Sequence, residues 1–163
     1  MTAGVAELTL ADVERFLYRE ARLADEHDYD GWESLWTDDG LYWIPGGGTS
    51  LADPDTQMSI VYDNRSRIRL RVAQLKSGKR HSQTPPSSVR RMISNVELMG
   101  TEGADHLVGA NFLAVESRQR GTTIWAGRAD YRLRLVDRSL RMARKRVTLV
   151  DRDRALFTLS FLI

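Results

Sequence analysis

Between residues 125 and 135 apolar and charged side chains trade places at nearly every step. Trp125, Gly127, Ala129, Tyr131, Leu133 and Leu135 take one parity, and Arg128, Asp130, Arg132 and Arg134 take the other. A period of two puts these sets on opposite faces of a pleated strand, so the stretch reads as an antiparallel strand half-buried against a core. A looser alternation runs from Arg90 onward and predicts four or five strands. Gly121, Asp137-Arg138 and residues 151–154 mark the reversals. Residues 107–115 are apolar on both parities, which predicts a central strand covered on both sides. Residues 157–163 predict an apolar closing strand.

The first half has a different period. Thr9 precedes Val13, Phe16, Leu17, Ala21 and Ala24 at helical spacing, and Asp12 follows Thr9 by three residues as in a capping box. Asp30 is placed to cap a second, shorter helix carrying Trp32, Leu35 and Trp36. Asp38-Asp39-Gly40 predicts a turn into a short strand, Leu41-Tyr42-Trp43-Ile44, that Pro45 stops. Residues 46–54 read as a loop. Residues 65–76 read as a third helix, with Ile68, Val72 and Leu75 on one side and Ser77-Gly78-Lys79 at its end; a loop containing Pro85-Pro86 follows. Helices first and then a run of strands give an α+β fold, with the helices laid on one face of a curved sheet. With 163 residues and no internal repeat, the chain reads as a single domain over residues 1–163.

Composition removes several classes of chemistry. The chain has no cysteine, so disulfides, thiolate metal sites and cysteine nucleophiles are excluded. A Rieske centre needs two cysteines and two histidines, and a non-haem iron site needs two histidines and a carboxylate. The three histidines, His27, His81 and His106, fall on a helix end, a loop and a strand start, with no second histidine at i+3 or i+4. Gly46-Gly47-Gly48-Thr49-Ser50 lacks the lysine of a phosphate-binding loop, and Asp53 and Asp55 lie close by. No serine sits in a Gly-x-Ser-x-Gly context. Neither a signal core nor an apolar span appears, so a cytoplasmic location is expected.

Charge is unevenly divided. Residues 1–63 hold 14 acidic and 3 basic side chains, against 8 and 21 in residues 64–163, for a net charge of +2. Nearly all the cations are arginine, the residue of bidentate pairs and interfaces. Arg128, Arg132 and Arg134 share one strand face and repel unless carboxylates answer them. Those carboxylates come from within the fold, or from a neighbouring copy in a head-to-tail ring that sets acidic helices on a basic sheet. No nucleic-acid motif accompanies the arginines.

Several collinear stretches carry a resemblance. Phe16-Leu17-Tyr18-Arg19-Glu20-Ala21-Arg22-Leu23, then Asp25-Glu26 and Asp30-Gly31-Trp32-Glu33-Ser34-Leu35, resemble the opening helices of the small (β) subunits of aromatic-ring-hydroxylating dioxygenases. Asp38-Asp39-Gly40-Leu41-Tyr42-Trp43-Ile44-Pro45 is similar to that family's D-D-x-x-Y-W-x-P strand. Asp53-Pro54 and Ser59-Ile60-Val61-Tyr62-Asp63 match its loop and the segment before its long helix. Pro85-Pro86-Ser87 through Ser94-Asn95-Val96-Glu97 resembles its S-R-T-R-H-x-x-S-N-V strand. The chain departs from that pattern at Ser88, Val89 and Arg91, where the family has arginine, threonine and histidine, and in its triple glycine after Pro45.

The resemblance implies a cone-like fold of the nuclear transport factor 2 superfamily, a curved mixed or antiparallel sheet with N-terminal helices on its concave face. It implies a non-catalytic structural subunit in aromatic compound catabolism, forming a homotrimer within an α3β3 hexamer. The Rieske [2Fe–2S] cluster and the mononuclear iron are then held by the α subunit and no cofactor by this chain. Candidate subunit-interface residues are Arg90, Arg91, Asn95, Arg128, Arg132 and Arg134. A second reading stays open within the same superfamily: a small-molecule dehydratase or isomerase with His27, Asp28 and Asp39 as acid–base groups and Tyr42 or Trp43 on the pocket wall. The interior of the cone separates the two, since the enzyme needs a polar, accessible cavity there.

Overall fold

The structure is a computed structural model, and it describes residues 7–47, 59–78, 87–154 and 159–163. His81, Pro85-Pro86, Asp53-Pro54, the glycine-loop residues past Gly47 and Phe157 lie outside the described residues. Among the described residues three helices pack on one six-stranded sheet. The elements in chain order are α1 (Leu10–Asp25), α2 (Tyr29–Glu33), β1 (Trp36–Pro45), β2 (Ser59–Asp63), α3 (Arg65–Ser77), β3 (Ser88–Glu102), β4 (Asp105–Arg118), β5 (Gly121–Val136) and β6 (Ser139–Leu149). The strand order is β2-β1-β6-β5-β4-β3. Every pairing is antiparallel except β1 with β6, which makes the sheet mixed. This is the expected α+β fold, a curved open sheet with the helices on its inner face. No described helix is long and apolar enough to cross a membrane.

Local chemistry explains the helices. Thr9 Oγ1 accepts the Asp12 amide at 3.2 Å while Asp12 accepts the Thr9 amide at 3.0 Å, so the capping box closes reciprocally. The buried stripe of α1 is Val13, Phe16, Leu17, Ala21 and Ala24 as spaced in the sequence, with Glu20 among them. Asn64 caps α3, Ile68, Val72 and Leu75 are its buried residues, and Gly78 ends it at φ 65°, a left-handed conformation that glycine adopts without strain.

Several expectations are corrected. Asp28, not Asp30, caps α2: its carboxylate accepts the Gly31 amide at 3.0 Å. Asp30 instead holds Lys76 of α3 at 2.8 Å. Asp28→Ala is therefore expected to cost about 1 kcal/mol in urea denaturation, and Asp30→Ala less, because an exposed pair contributes little. Asp38-Asp39-Gly40 is not a turn before the strand but lies inside β1, where the register with β6 slips between Trp36 and Leu41. Glycine is required at position 40, since a Cβ would meet the Trp36 ring at 2.7 Å. Residues 59–63, assigned no element from sequence, form β2. Residues 107–115 are covered on one side only, because Leu107, Leu113 and Val115 point outward and stay partly exposed. Residues 159–163 join no strand; Phe161, Leu162 and Ile163 instead insert into the core.

The core lies between helices and sheet. Trp32, Trp36 and Tyr42 stack edge-to-face or tilted with ring centroids 5.5–5.9 Å apart. Such pairs add to the burial energy of the rings themselves. The inward set of β5 is Trp125, Ala129, Tyr131 and Leu133, as the alternation requires. Leu135, at the end of the strand, is exposed.

Candidate functional site

His27 follows α1 at φ 57°, a backbone conformation that non-glycine residues seldom take. Its Nε2 lies 3.0 Å from the Ser87 carbonyl and its Nδ1 lies 2.8 Å from the Tyr29 hydroxyl. A carbonyl only accepts, so Nε2 carries a hydrogen, and the Tyr29 hydroxyl is the partner of Nδ1. Burial raises the Tyr29 pKa, which keeps it a phenol donor. Both ring nitrogens are thereby spent on joining the α1–α2 corner to the start of β3. Asp28 is spent on the cap.

Asp39 sits elsewhere, on β1. Its carboxylate accepts Thr37 Oγ1 at 2.7 Å and Arg134 Nη1 at 3.0 Å. The Thr37 hydrogen bond and then Arg134 hold its pKa below the usual carboxylate value, which makes it a weak base at neutral pH. A shallow cavity of about 400 Å³ contains Asp39 with Asp38, Asn64, Arg65 and Arg69, but neither His27 nor Asp28. A larger groove of about 690 Å³ runs between the start of α1 and the β5–β6 hairpin, past Phe16, Arg19, Leu135 and Arg138, and contains none of the three. The proposed pocket walls separate too. Tyr42 is buried in the core, while the Trp43 ring meets Arg146 and Tyr62, with its Nε1 donating to Ser59. Among the described residues no cluster of three histidine, aspartate or glutamate side chains could hold a metal ion. His106 lies on β4 opposite Thr101 and Leu133.

The inner face of the sheet holds charges that the sequence reading missed. Glu20 of α1 and Lys145 of β6 meet at 2.6 Å, both almost wholly buried. Trp32 Nε1 donates to the same Glu20 oxygen at 3.1 Å, and the Tyr131 ring lies 5.6 Å from the ammonium. Burial opposes ionisation of Glu20, but Lys145 and Arg91 outweigh it and hold the carboxyl below its usual pKa. For Lys145, burial outweighs the attraction of Glu20 and lowers its pKa. Arg91 binds Asp25 with its Nε and its backbone amide, at 2.7 and 2.9 Å, and its Nη2 donates to the Leu162 carbonyl. Glu116 accepts Trp125 Nε1 and Ser160 Oγ. The Tyr42 hydroxyl donates to the Ile163 oxygen at 2.8 Å and accepts the Ile163 amide at 3.1 Å; burial pushes its pKa up to about 12. Among the described residues the inner face of the sheet thus carries aromatic rings, ion pairs and residues 160–163. A signal was present: Glu20 falls on the apolar stripe of α1, and Lys145 shares a parity with Val147 and Leu149.

The arginine row is answered inside the chain. Arg132 and Arg134 both pair with Asp105, at 3.0 and 2.6 Å, and Arg128 pairs with Glu97 at 3.3 Å. The carboxylates come mainly from neighbouring strands of the same chain. The Arg91 side chain, 2% exposed, is turned inward onto Asp25. Arg90 reaches Glu26 at 3.5 Å, and Asn95 stands exposed at φ 54° in the bulge of β3 between Ser94 and Glu97.

The sequence profile described as "Ring hydroxylating beta subunit" matches residues 19–153. The chain belongs to that family. The small oxygenase component of the p-cumate 2,3-dioxygenase system of Pseudomonas putida is 31% identical over 144 residues, covering 86% of this chain and 79% of the relative. The anthranilate 1,2-dioxygenase small subunit of Acinetobacter baylyi is 32% identical over 145 residues, covering 85% and 88%. The solved structure of the benzoate 1,2-dioxygenase beta subunit from Burkholderia mallei superposes with a TM-score of 0.75 at 27% identity, covering 89% of this chain and 93% of that one. The beta-subunit family thus accounts for the cone-like architecture and for the motifs in the first half of the chain.

Proposed function

We propose that this chain is the small, non-catalytic subunit of a Rieske-type aromatic-ring-hydroxylating dioxygenase, working in the cytoplasm on aromatic catabolism. It assembles with a large subunit that holds the [2Fe–2S] cluster and the mononuclear iron, as a trimer of small subunits within an α3β3 hexamer. The observation that carries this reading is the family match over residues 19–153. The site chemistry supports it. His27 and Asp28 are spent on the α1–α2 corner, and Asp39 is held by Thr37 and Arg134 away from both. The donor set of this chain does not fit either iron centre: it has no cysteine and three scattered histidines.

The test is to co-express a tagged form of the chain, one at a time, with each Rieske-type large subunit encoded in its source genome. One of them is expected to co-purify in equal amount, with iron found in the complex and none in stoichiometric amount on the chain alone. Failure to capture any large subunit would overturn the reading. So would turnover of a dehydratase or isomerase substrate by the chain alone that is abolished by a stably folded His27→Ala variant.

A further inference from the structure

The outer face of the sheet carries an apolar island whose extent the strand registers fix. Met92 of β3 stands opposite Leu113 of β4, and Leu113 opposite Ala126 of β5. The Val150 amide, just past β6, donates to the Ala126 carbonyl at 3.0 Å and extends the row. The next row, toward the β4–β5 turn, is Arg90, Val115 and Ile124. Leu113 and Val115 of β4 therefore join Met92 to Ile124, and the island runs unbroken from β3 to the end of β6, about 14 Å. Sequence neighbours Phe112, Ala114, Trp125 and Leu149 are buried on the inner face, so these side chains point outward. Met92 is 66% exposed, Ile124 61%, Val150 72% and Val115 36%. A single exposed aliphatic residue needs no explanation, but a contiguous group of this extent marks an interaction surface.

The border of the island says what fits it. Ser94, Asn111 and Arg128 form one side and Ser88, Ser117 and Thr122 the other, with Arg90 at a corner. An apolar centre inside a polar rim is the anatomy of a protein interface. Island and border extend over four cross-strand rows, which with the width of the side chains is of the order of the roughly 800 Å² that each partner of a stable complex buries. Both border cations are answered within the chain, Arg90 by Glu26 and Arg128 by Glu97. An acidic partner finds no free cation here to pair with. A second copy of this chain meets apolar side chains and no unpaired like charge, although its net charge is +2.

The geometry points to the Met92–Leu113–Ala126–Val150 row, with Val115 and Ile124 beside it, as the surface on which a second copy of this chain docks. This inference rests on the trimer proposed above and adds the face that closes it. A ring joins two different surfaces of each subunit. The Met92 end at the sheet edge and the Val150 end beyond β6 are two such surfaces, and one island supplies both.

The experiment is sedimentation velocity over a concentration series of the chain alone. Wild type is compared with the pair Ile124→Glu and Val150→Glu in one chain, with Met92→Glu, and with Leu70→Glu on the exposed side of α3 as a control. Wild type and Leu70→Glu are expected to run as trimers. The paired variant is expected to stay monomeric at concentrations at least tenfold above those at which wild type associates. Circular dichroism and melting report the fold, and Met92→Glu decides if the paired variant does not fold. A folded variant that associates like wild type overturns the docking surface. So does a wild-type chain that is monomeric alone yet captures a large subunit, which leaves the functional reading standing. Variants that remain trimeric but lose a large subunit captured by wild type assign the face to that subunit, and also overturn the inference. A trimer broken by the variants in a chain that captures no large subunit keeps the face and removes the functional reading.

Discussion

Lys145→Met is expected to destabilise the chain by about 3–5 kcal/mol, the cost typical of breaking a buried pair by removing one partner. The methionine fills the space of the lysine stem, so packing changes little and the loss falls on Glu20, left buried without its nearest cation. Adding Glu20→Gln is expected to recover much of that loss, because a neutral amide is easier to bury than a lone carboxylate. The two proteins should also respond to pH in opposite directions. In the wild type the Glu20 pKa lies below its ordinary value. Its contribution to stability is then full above the unfolded pKa, near 4.5, and is lost as pH falls through the folded value. In Lys145→Met burial dominates, the folded pKa rises, and the variant loses stability as pH rises through it. Each shifted unit is about 1.4 kcal/mol. Urea midpoints from about pH 2 to about pH 8 measure this, the wild-type change falling below the unfolded pKa and the variant's above it. A single variant within 1 kcal/mol of wild type, or one sharing its pH slope, would show that the pair does not hold the core as described.

Deleting residues 160–163 is expected to have the larger effect. Phe161, Leu162 and Ile163 are each no more than 6% exposed. At about 1.5–3 kcal/mol for each buried side chain, their loss costs about 5–9 kcal/mol, an amount comparable with the whole stability of a domain. Buried polar groups lose partners in the same cut: the Tyr42 hydroxyl, the Arg91 nitrogen that reaches Leu162, and the Glu116 oxygen that takes Ser160, which keeps only Arg118. The shortened chain should lose cooperative thermal unfolding and expose surface that binds a hydrophobic dye. Melting within a few degrees of the full chain would mean that these residues sit on the core without supporting it. Ile163→Ala, which keeps the backbone bonds to Tyr42, is expected to cost about 2–5 kcal/mol.

What could be read in the sequence was local. The capping box of Thr9 and Asp12, the Ile68–Val72–Leu75 side of α3 and the alternation in β5 each depend on spacing within one element, and each is found in the structure. The parallel pairing of β1 with β6 depends on neighbours far along the chain, and no period reports it. Residues 159–163 are apolar but for Ser160, and a run too short to show a helical or strand period is as compatible with an inserted segment as with a strand. Asp28 and Asp30 both have cap chemistry, and only backbone geometry chooses between them. The arginines of β5 stand out in the alternation, but their carboxylate partners Asp105 and Glu97 stand on other strands, so spacing does not report the bonds themselves.

The pairing of β1 with β6 also bears on how the chain reaches this state. Trp43 finds Arg146 across the ladder, Glu20 finds Lys145, and Tyr42 finds Ile163. The amino-terminal third is therefore held by contacts with segments that leave the ribosome much later than it does. Closing loops of more than a hundred residues must precede the contacts that reward it, which slows folding. While β6 is still being made, the Trp32–Trp36–Tyr42 cluster has only its own helices for cover. Nascent chains of this subunit should thus depend on holding chaperones until synthesis passes β6, and arrested chains ending before residue 139 should remain sensitive to protease through α1 and β1.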